Sequence, residues 1–206
     1  MTAIVQKATG HERVLYALLA GTGMRIGEIL GLEVKHLSGD CKTIVVEQSS
    51  WQGHIQTPKT KNAYRQIDIN SELAEMVKKF VGTRQNGLLF TNSVGRALAQ
   101  TNLLQYSLHP SLKELGVEKS GFHAMRRFRI TWLRKQRAPE DFIKFWLGHA
   151  EQSVTDGYSK LNQDTGFRRQ VAEQVGLGFK LPGCEAELMR PTVPSISHEV
   201  VEAVTM

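Results

Sequence analysis

Cysteine is scarce, with only Cys41 and Cys184 in a chain of 206 residues. Their spacing makes neither a disulfide framework nor a metal-ligand pattern, and so little cysteine fits a reducing cytosol. No apolar run is long enough to span a bilayer, no signal-peptide pattern opens the chain, and no internal repeat is visible. A membrane partner is therefore not expected. Acidic residues are also short: 20 Asp and Glu face 26 Lys and Arg, giving a formal charge of +6 and a pI near 9.4. That balance favours a polyanionic partner, nucleic acid first. Hydrophobic residues still reach 41%, enough for a core, and the length suits one domain.

The apolar periodicity outlines the elements in chain order. Residues 1–10 read as a ragged start. Val14, Leu15, Leu18 and Leu19 share one face of a helix over 11–20, which Gly21-Thr22-Gly23 breaks. A second short helix runs over 24–32. Arg25 opens it, Glu28 follows at the spacing of a surface ion pair, and Gly27 and Gly31 share a face open to close approach. Between 42 and 69 the pattern turns to strands, which predict an antiparallel sheet of about three. Ile67 and Ile69 are expected on one face of the last strand, Gln66 and Asp68 on the other. A basic loop holding Lys59, Lys61 and Arg65 lies before and into that strand. Asn70 or Ser71 caps a helix built on Leu73, Met76, Val77 and Phe80. Leu88-Leu89-Phe90 reads as buried, a helix over 97–108 breaks before Pro110, and a short one covers 111–115. The later pattern predicts helices over 122–136, over 139–147 with Gly148 just past the end, and over about 164–175. These readings amount to a mainly α fold with a small antiparallel β-sheet. They place a domain at 1–176 and a flexible tail at 177–206, with room in it for a short docking segment.

The chemistry concentrates in the stretch Gly121 to Leu161. His123 and Arg126 are three apart, Gly148-His149 sits at a helix end, and Tyr158 follows nine residues later. Ser153 and Asp156 make a capping box that puts Tyr158 in the early turns of the next helix. Around them stand Arg127, Arg129, Arg134, Lys135 and Arg137, a cationic set suited to a DNA backbone. Two other readings fit parts of the stretch. The helices over 122–136 and 139–147 resemble a helix-turn-helix, as a DNA-binding regulator without catalysis would have. His123 and His149 are also metal-ligand types, but no third ligand stands at a useful spacing, so no metal is assigned.

Four boxes in order resemble those of the tyrosine recombinases, the phage-integrase family. Thr22-Gly-Met-Arg-Ile-Gly-Glu-Ile-Leu-Gly-Leu32 resembles its first arginine box, and Pro58-Lys59-Thr60-Lys61 its β-hairpin lysine. His123-Ala-Met-Arg126 is similar to its H-x-x-R box, and Leu147-Gly-His149 with Tyr158 to its second histidine and nucleophile. The likeness covers about residues 11 to 165. Arg127 departs from it, standing where many members have histidine. Members usually carry a separate N-terminal DNA-clamping domain, and this sequence begins where the catalytic domain is expected to begin.

The resemblance implies the family's catalytic-domain fold and a cofactor-independent division of labour. Arg25 and Arg126 hold the non-bridging oxygens of a phosphodiester, each worth roughly 3–4 kcal/mol in comparable oxyanion sites. Guanidinium suits this because it is planar, bidentate and always charged. His149 adds a donor. A phenol of pKa about 10 is only about 0.1% ionised at neutral pH, so Tyr158 needs cations and a base such as His123. Lys59, or Lys61 if the hairpin register shifts, protonates the leaving 5′ oxygen. The implied product is a 3′-phosphotyrosyl link that rejoins without ATP. Double-stranded DNA is the implied partner, with self-association on it, in the cytoplasm at the nucleoid. A type IB topoisomerase-like nicking-closing enzyme shares this chemistry and is the other enzymatic reading.

Overall fold

The computed structural model describes residues 1–57, 64–148 and 163–183. Its helices are α1 (Thr2–Lys7), α2 (Gly10–Thr22), α3 (Ile26–Leu30), α4 (Ser71–Val81), α5 (Gln100–Leu103), α6 (His109–Glu114), α7 (His123–Lys135), α8 (Glu140–Leu147) and α9 (Thr165–Val175). The strands are β1 (Thr43–Val46), β2 (Ser49–Trp51), β3 (His54–Gln56) and β4 (Arg65–Asp68). Among the described residues no helix is long and apolar enough to cross a membrane.

Helix α2 is the hub. Residues 14–22 are all buried, so it is apolar all round rather than on one face, as a helix enclosed by neighbours must be. It packs against α1, α3, α4 and α7. The N-terminal stretch read as ragged is helical, because Ile4 and Val5 find the same core. Its single turn and a half is too short for periodicity to reveal.

The expected three-stranded sheet is instead two antiparallel ladders. β1 pairs with β4 from Thr43↔Asp68 to Val46↔Arg65, and β2 pairs with β3 from Ser49↔Gln56 to Trp51↔His54. One arm spends Glu47 and Gln48 between the ladders, while the returning arm spends residues 57–64. That mismatch separates the two registers. Helix α3 lies on β2, as the Gly27 and Gly31 face anticipates. A Cβ on Gly31 would stand 2.9 Å from Ser49 Cα, and one on Gly27 would stand 3.0 Å from Ser50 O.

Helix ends follow local chemistry. Asn70 Oδ1 accepts from Leu73 N at 3.3 Å and starts α4. Asp164 caps α9, with its Oδ1 accepting from Phe167 N at 2.9 Å. Gly148 closes α8 at φ 64°, a left-handed conformation that glycine adopts without steric cost. At Pro110 the expected break does not occur. A π-helical segment, Leu104–Leu108, joins α5 to α6, and Pro110 falls in the first turn of α6. The wider turn absorbs the position where proline lacks a donor, and Ser107 Oγ meets the buried Tyr16 hydroxyl at 2.6 Å.

The core also runs past Gly176. Leu177, Phe179 and Leu181 are buried, so the first residues of the expected tail dock on the domain. Arg129 Nη1 donates to Gly176 O at 2.6 Å and Trp132 Nε1 to Val175 O at 2.7 Å, pinning this segment to α7. Residues 184–206, including Cys184, lie outside the described residues, as does most of the expected tail.

The packing of α3 on β2 is open to test. Gly31→Ala forces a methyl onto strand backbone and is expected to cost about 1–3 kcal/mol. Gly39→Ala, with nothing within 4 Å, should stay within about 0.5 kcal/mol. Equal urea midpoints for both variants would contradict the close approach.

Candidate active site

The site is built on buried arginines that join distant parts of the chain. Arg126 is 4% exposed and lies on the inward face of α7. Its Nη1 donates to Gly23 O at 2.7 Å and its Nη2 to Leu147 O at 2.7 Å. Gly23 is two residues before Arg25, and Leu147 is two before His149. One side chain thereby anchors the first arginine segment to the end of α8. Burial lowers the Arg126 guanidinium to about 10, and the nearby positive charges of Arg25 and Arg65 add to the effect. It remains protonated at neutral pH.

Arg25 takes the position before α3, with its side chain 53% exposed. The Glu28 carboxylate holds it from two sides. Arg25 N donates to Glu28 Oε2 at 2.8 Å, and Arg25 Nη1 to Oε1 at 3.0 Å. The expected surface pair is therefore half buried, because Glu28 faces inward. Its carboxylate also receives Arg65, Nη1 to Oε1 at 3.1 Å and Nη2 to Oε2 at 2.8 Å. Burial alone would raise the Glu28 carboxyl, but the hydrogen bonds and charges of Arg65 and Arg25 outweigh it and hold it below the usual carboxylate range. Beside Arg25 a cavity of about 350 Å³ opens, walled by Gln48, Ser50, Trp51 and Gln100.

His123 is exposed at the first residue of α7, one turn before Arg126. Arg126 thus ties the segment that carries Arg25 to the helix that carries His123, but it is buried with Nη1 and Nη2 on carbonyls, so it does not present them to the non-bridging oxygens as expected. Lys59, Lys61, His149 and Tyr158 lie outside the described residues, as does the Ser153 and Asp156 cap. Among the described tyrosines, Tyr16 is unfit as a nucleophile, since burial pushes its phenol up to about 12.

Two of the expected DNA contacts are corrected. Arg65 is buried against Glu28, its side chain only 1% exposed. Arg129 is 3% exposed, spent on Gly176 O, and burial lowers it to about 10. Neither can reach a phosphate. Arg127, Arg134, Lys135 and Arg137 are exposed on or just past α7. Among the described residues no three His, Cys, Asp or Glu side chains gather where they could hold a metal ion.

A second buried network supports the site and was missed in the sequence. Asp68 was expected on a polar face, yet it is enclosed because α8 and α9 cover that side of β4. Its Oδ1 accepts from Thr43 Oγ1 at 3.0 Å, and its Oδ2 accepts from Trp146 Nε1 at 3.1 Å and from Arg168 Nε at 2.7 Å. A tryptophan near the end of α8 and an arginine in α9 were the available signals, since both are common partners of a buried carboxylate.

Comparison with known proteins gives this arrangement a context. The profile of the Phage integrase family matches residues 1–165. A "Tyrosine recombinase XerC-like" protein of Caldanaerobacter subterraneus is 29% identical over 181 residues, covering 74% of this chain and 46% of the relative. Tyrosine recombinase XerH of Helicobacter pylori is 26% identical over 166 residues, covering 76% and 43%. The chain thus spans a little under half the length of these curated relatives. Among solved structures, the Tn1549 transposon integrase in complex with a circular intermediate DNA superposes with a TM-score of 0.61. It is 18% identical and covers 79% of this chain and 62% of that one. XerH bound to palindromic difH substrate gives a TM-score of 0.55 at 22% identity, covering 82% and 48%. These likenesses show a shared fold.

The Glu28 cluster carries a pH signature. Its folded pKa lies below the unfolded value of about 4.3. The stabilisation is therefore complete above about pH 4.3 and is lost as pH falls through the lower folded value. Glu28→Gln should lower stability at pH 7, and its deficit against wild type should shrink as pH drops towards 3. A deficit independent of pH in urea titrations would contradict the ionised cluster.

Proposed function

Because the chain belongs to the phage integrase family, we propose that it cuts and rejoins double-stranded DNA through a 3′-phosphotyrosyl link to Tyr158, as the catalytic domain of a site-specific recombinase. The observation that carries this reading is the anchoring of the Arg25 segment by Arg126. One buried guanidinium ties the Arg25 segment to the end of α8, from which the chain runs on to His149 and Tyr158.

The roles follow from charge and proton flow. Arg25, half exposed beside the cavity, binds the non-bridging oxygens as the phosphorus becomes five-coordinate. Arg126 supplies fixed positive potential beneath it, and His149 adds a donor. The Tyr158 oxygen forms the new bond to phosphorus as its proton passes to His123, while the bond to the 5′ oxygen breaks. Lys59, with Lys61 as its substitute, gives that oxygen a proton. The phosphotyrosyl ester conserves the bond energy, so attack by another 5′-hydroxyl reverses the step without ATP.

The partner is duplex DNA, bound along the exposed Arg127, Arg134, Lys135 and Arg137. Relatives of the same fold have been solved on DNA substrates, the Tn1549 integrase and XerH among them. Self-association on the DNA brings together the strands to be exchanged. The site of action is the cytoplasm, at the nucleoid.

A nicked suicide substrate tests the chemistry. Incubated in EDTA with the protein, it should give a covalent adduct on a denaturing gel, and Tyr158→Phe should give none. Arg25→Ala should slow single-turnover cleavage by ~10²–10³-fold. Equal adduct from Tyr158→Phe would refute the assignment. The DNA face has its own test in salt titrations. Arg127→Ala should weaken binding and reduce the salt slope by about one, whereas Arg129→Ala should lower thermal stability and leave the slope unchanged.

A further inference from the structure

We propose that Arg65 is a positioning residue for strand transfer: through one buried guanidinium it sets Arg25, the end of α8 and the start of β4 relative to one another. This rests on the phosphotyrosyl reading above and adds a residue to it. Arg65 was expected on the DNA surface, but its side chain is 1% exposed and cannot touch a backbone phosphate. Its donors point inward instead. Nη1 and Nη2 form a fork on the Glu28 carboxylate at 3.1 Å and 2.8 Å, and Nε donates to Trp146 O at 2.7 Å.

Each contact reaches a segment that the reaction uses. Both Glu28 oxygens also hold Arg25, one through its backbone N–H and the other through Nη1. Trp146 O lies in the last turn of α8, beside the Leu147 carbonyl that Arg126 holds. Arg65 itself opens β4, two residues beyond the 58–63 stretch that carries Lys59 and Lys61. Movement of any of these segments strains the same planar group.

Charge gives the second argument. Glu28 is what orients the Arg25 side chain, yet a lone carboxylate in contact with Arg25 would cancel the positive charge a phosphate needs. Arg65 offsets it: two guanidiniums and one carboxylate leave the cluster one net positive charge. Arg25 is then both fixed and still cationic. Only a planar fork bonds both carboxylate oxygens and a carbonyl together, which a lysine ammonium cannot reproduce.

The test compares the full chain with Arg65→Lys and with the double variant Arg65→Met/Glu28→Gln, which removes both buried charges together. DNA affinity, single-turnover cleavage of the nicked substrate and urea stability are measured on each. Both variants should bind DNA within about 3-fold of wild type and with the same salt slope, yet cleave on the order of 10²-fold more slowly. A folded double variant cleaving at the wild-type rate would make the pair merely structural and overturn the inference. So would a loss of affinity in step with cleavage and a salt slope reduced by about one, since that marks a phosphate contact. Failure of both variants to fold would assign Arg65 to folding alone and also overturn it. Absence of adduct from wild type would sink the strand-transfer reading itself, whereas a wild-type adduct with undiminished variants sinks only the role of Arg65.

Discussion

Two backbone carbonyls more than a hundred residues apart, Gly23 O and Leu147 O, are held by the single guanidinium of Arg126 at 2.7 Å each. A buried carbonyl at a helix end needs a donor, since no water reaches it. Arginine suits this place because one planar group carries several donors in a fixed geometry. The positive head also sits at the negative end of α8, where the helix dipole favours it. The first arginine segment, α7 and α8 thereby become one body.

The pattern repeats around the site. Arg65 joins Trp146 O to Glu28, Arg129 joins α7 to Gly176 O, and Arg168 joins α9 to Asp68. Burying so many cations is costly, and the lowering of Arg126 and Arg129 to about 10 records that cost. Arginine bears it because even a depressed guanidinium stays charged near pH 7. Cross-links and positive potential therefore come from the same side chains. The buried cations stand fixed behind the exposed Arg25, where they would need no reorganisation beside a developing negative charge.

Local features were legible in the sequence. The spacing of Phe142, Ile143, Trp146 and Leu147 marked α8, and Gly148 marked its end. Asn70 marked the start of α4, and the Gly27 and Gly31 pair marked a face for close approach. What escaped depends on partners distant along the chain. Arg65 and Arg129 look like surface cations until Glu28 and Gly176 O are brought against them. Asp68 alternates with isoleucines, as on a half-exposed strand, and only the covering helices show that both faces are enclosed. The helix at 2–7 is too short to show a period, and a proline after a helical run gave no hint of a π-turn. The site was read from box order and residue type. The carboxylate that organises it looks, by spacing alone, like half of a surface pair.

The claim at the centre is that Arg25 and Arg126 serve one phosphate. A crystal structure of the Tyr158→Phe protein on an uncut duplex carrying its own crossover site measures this directly. The account predicts one backbone phosphate within hydrogen-bonding distance of Arg25, about 2.7–2.9 Å, over the end of α8 that Arg126 anchors. Duplex lying only along Arg127, Arg134 and Lys135, with no phosphate at Arg25, would contradict it.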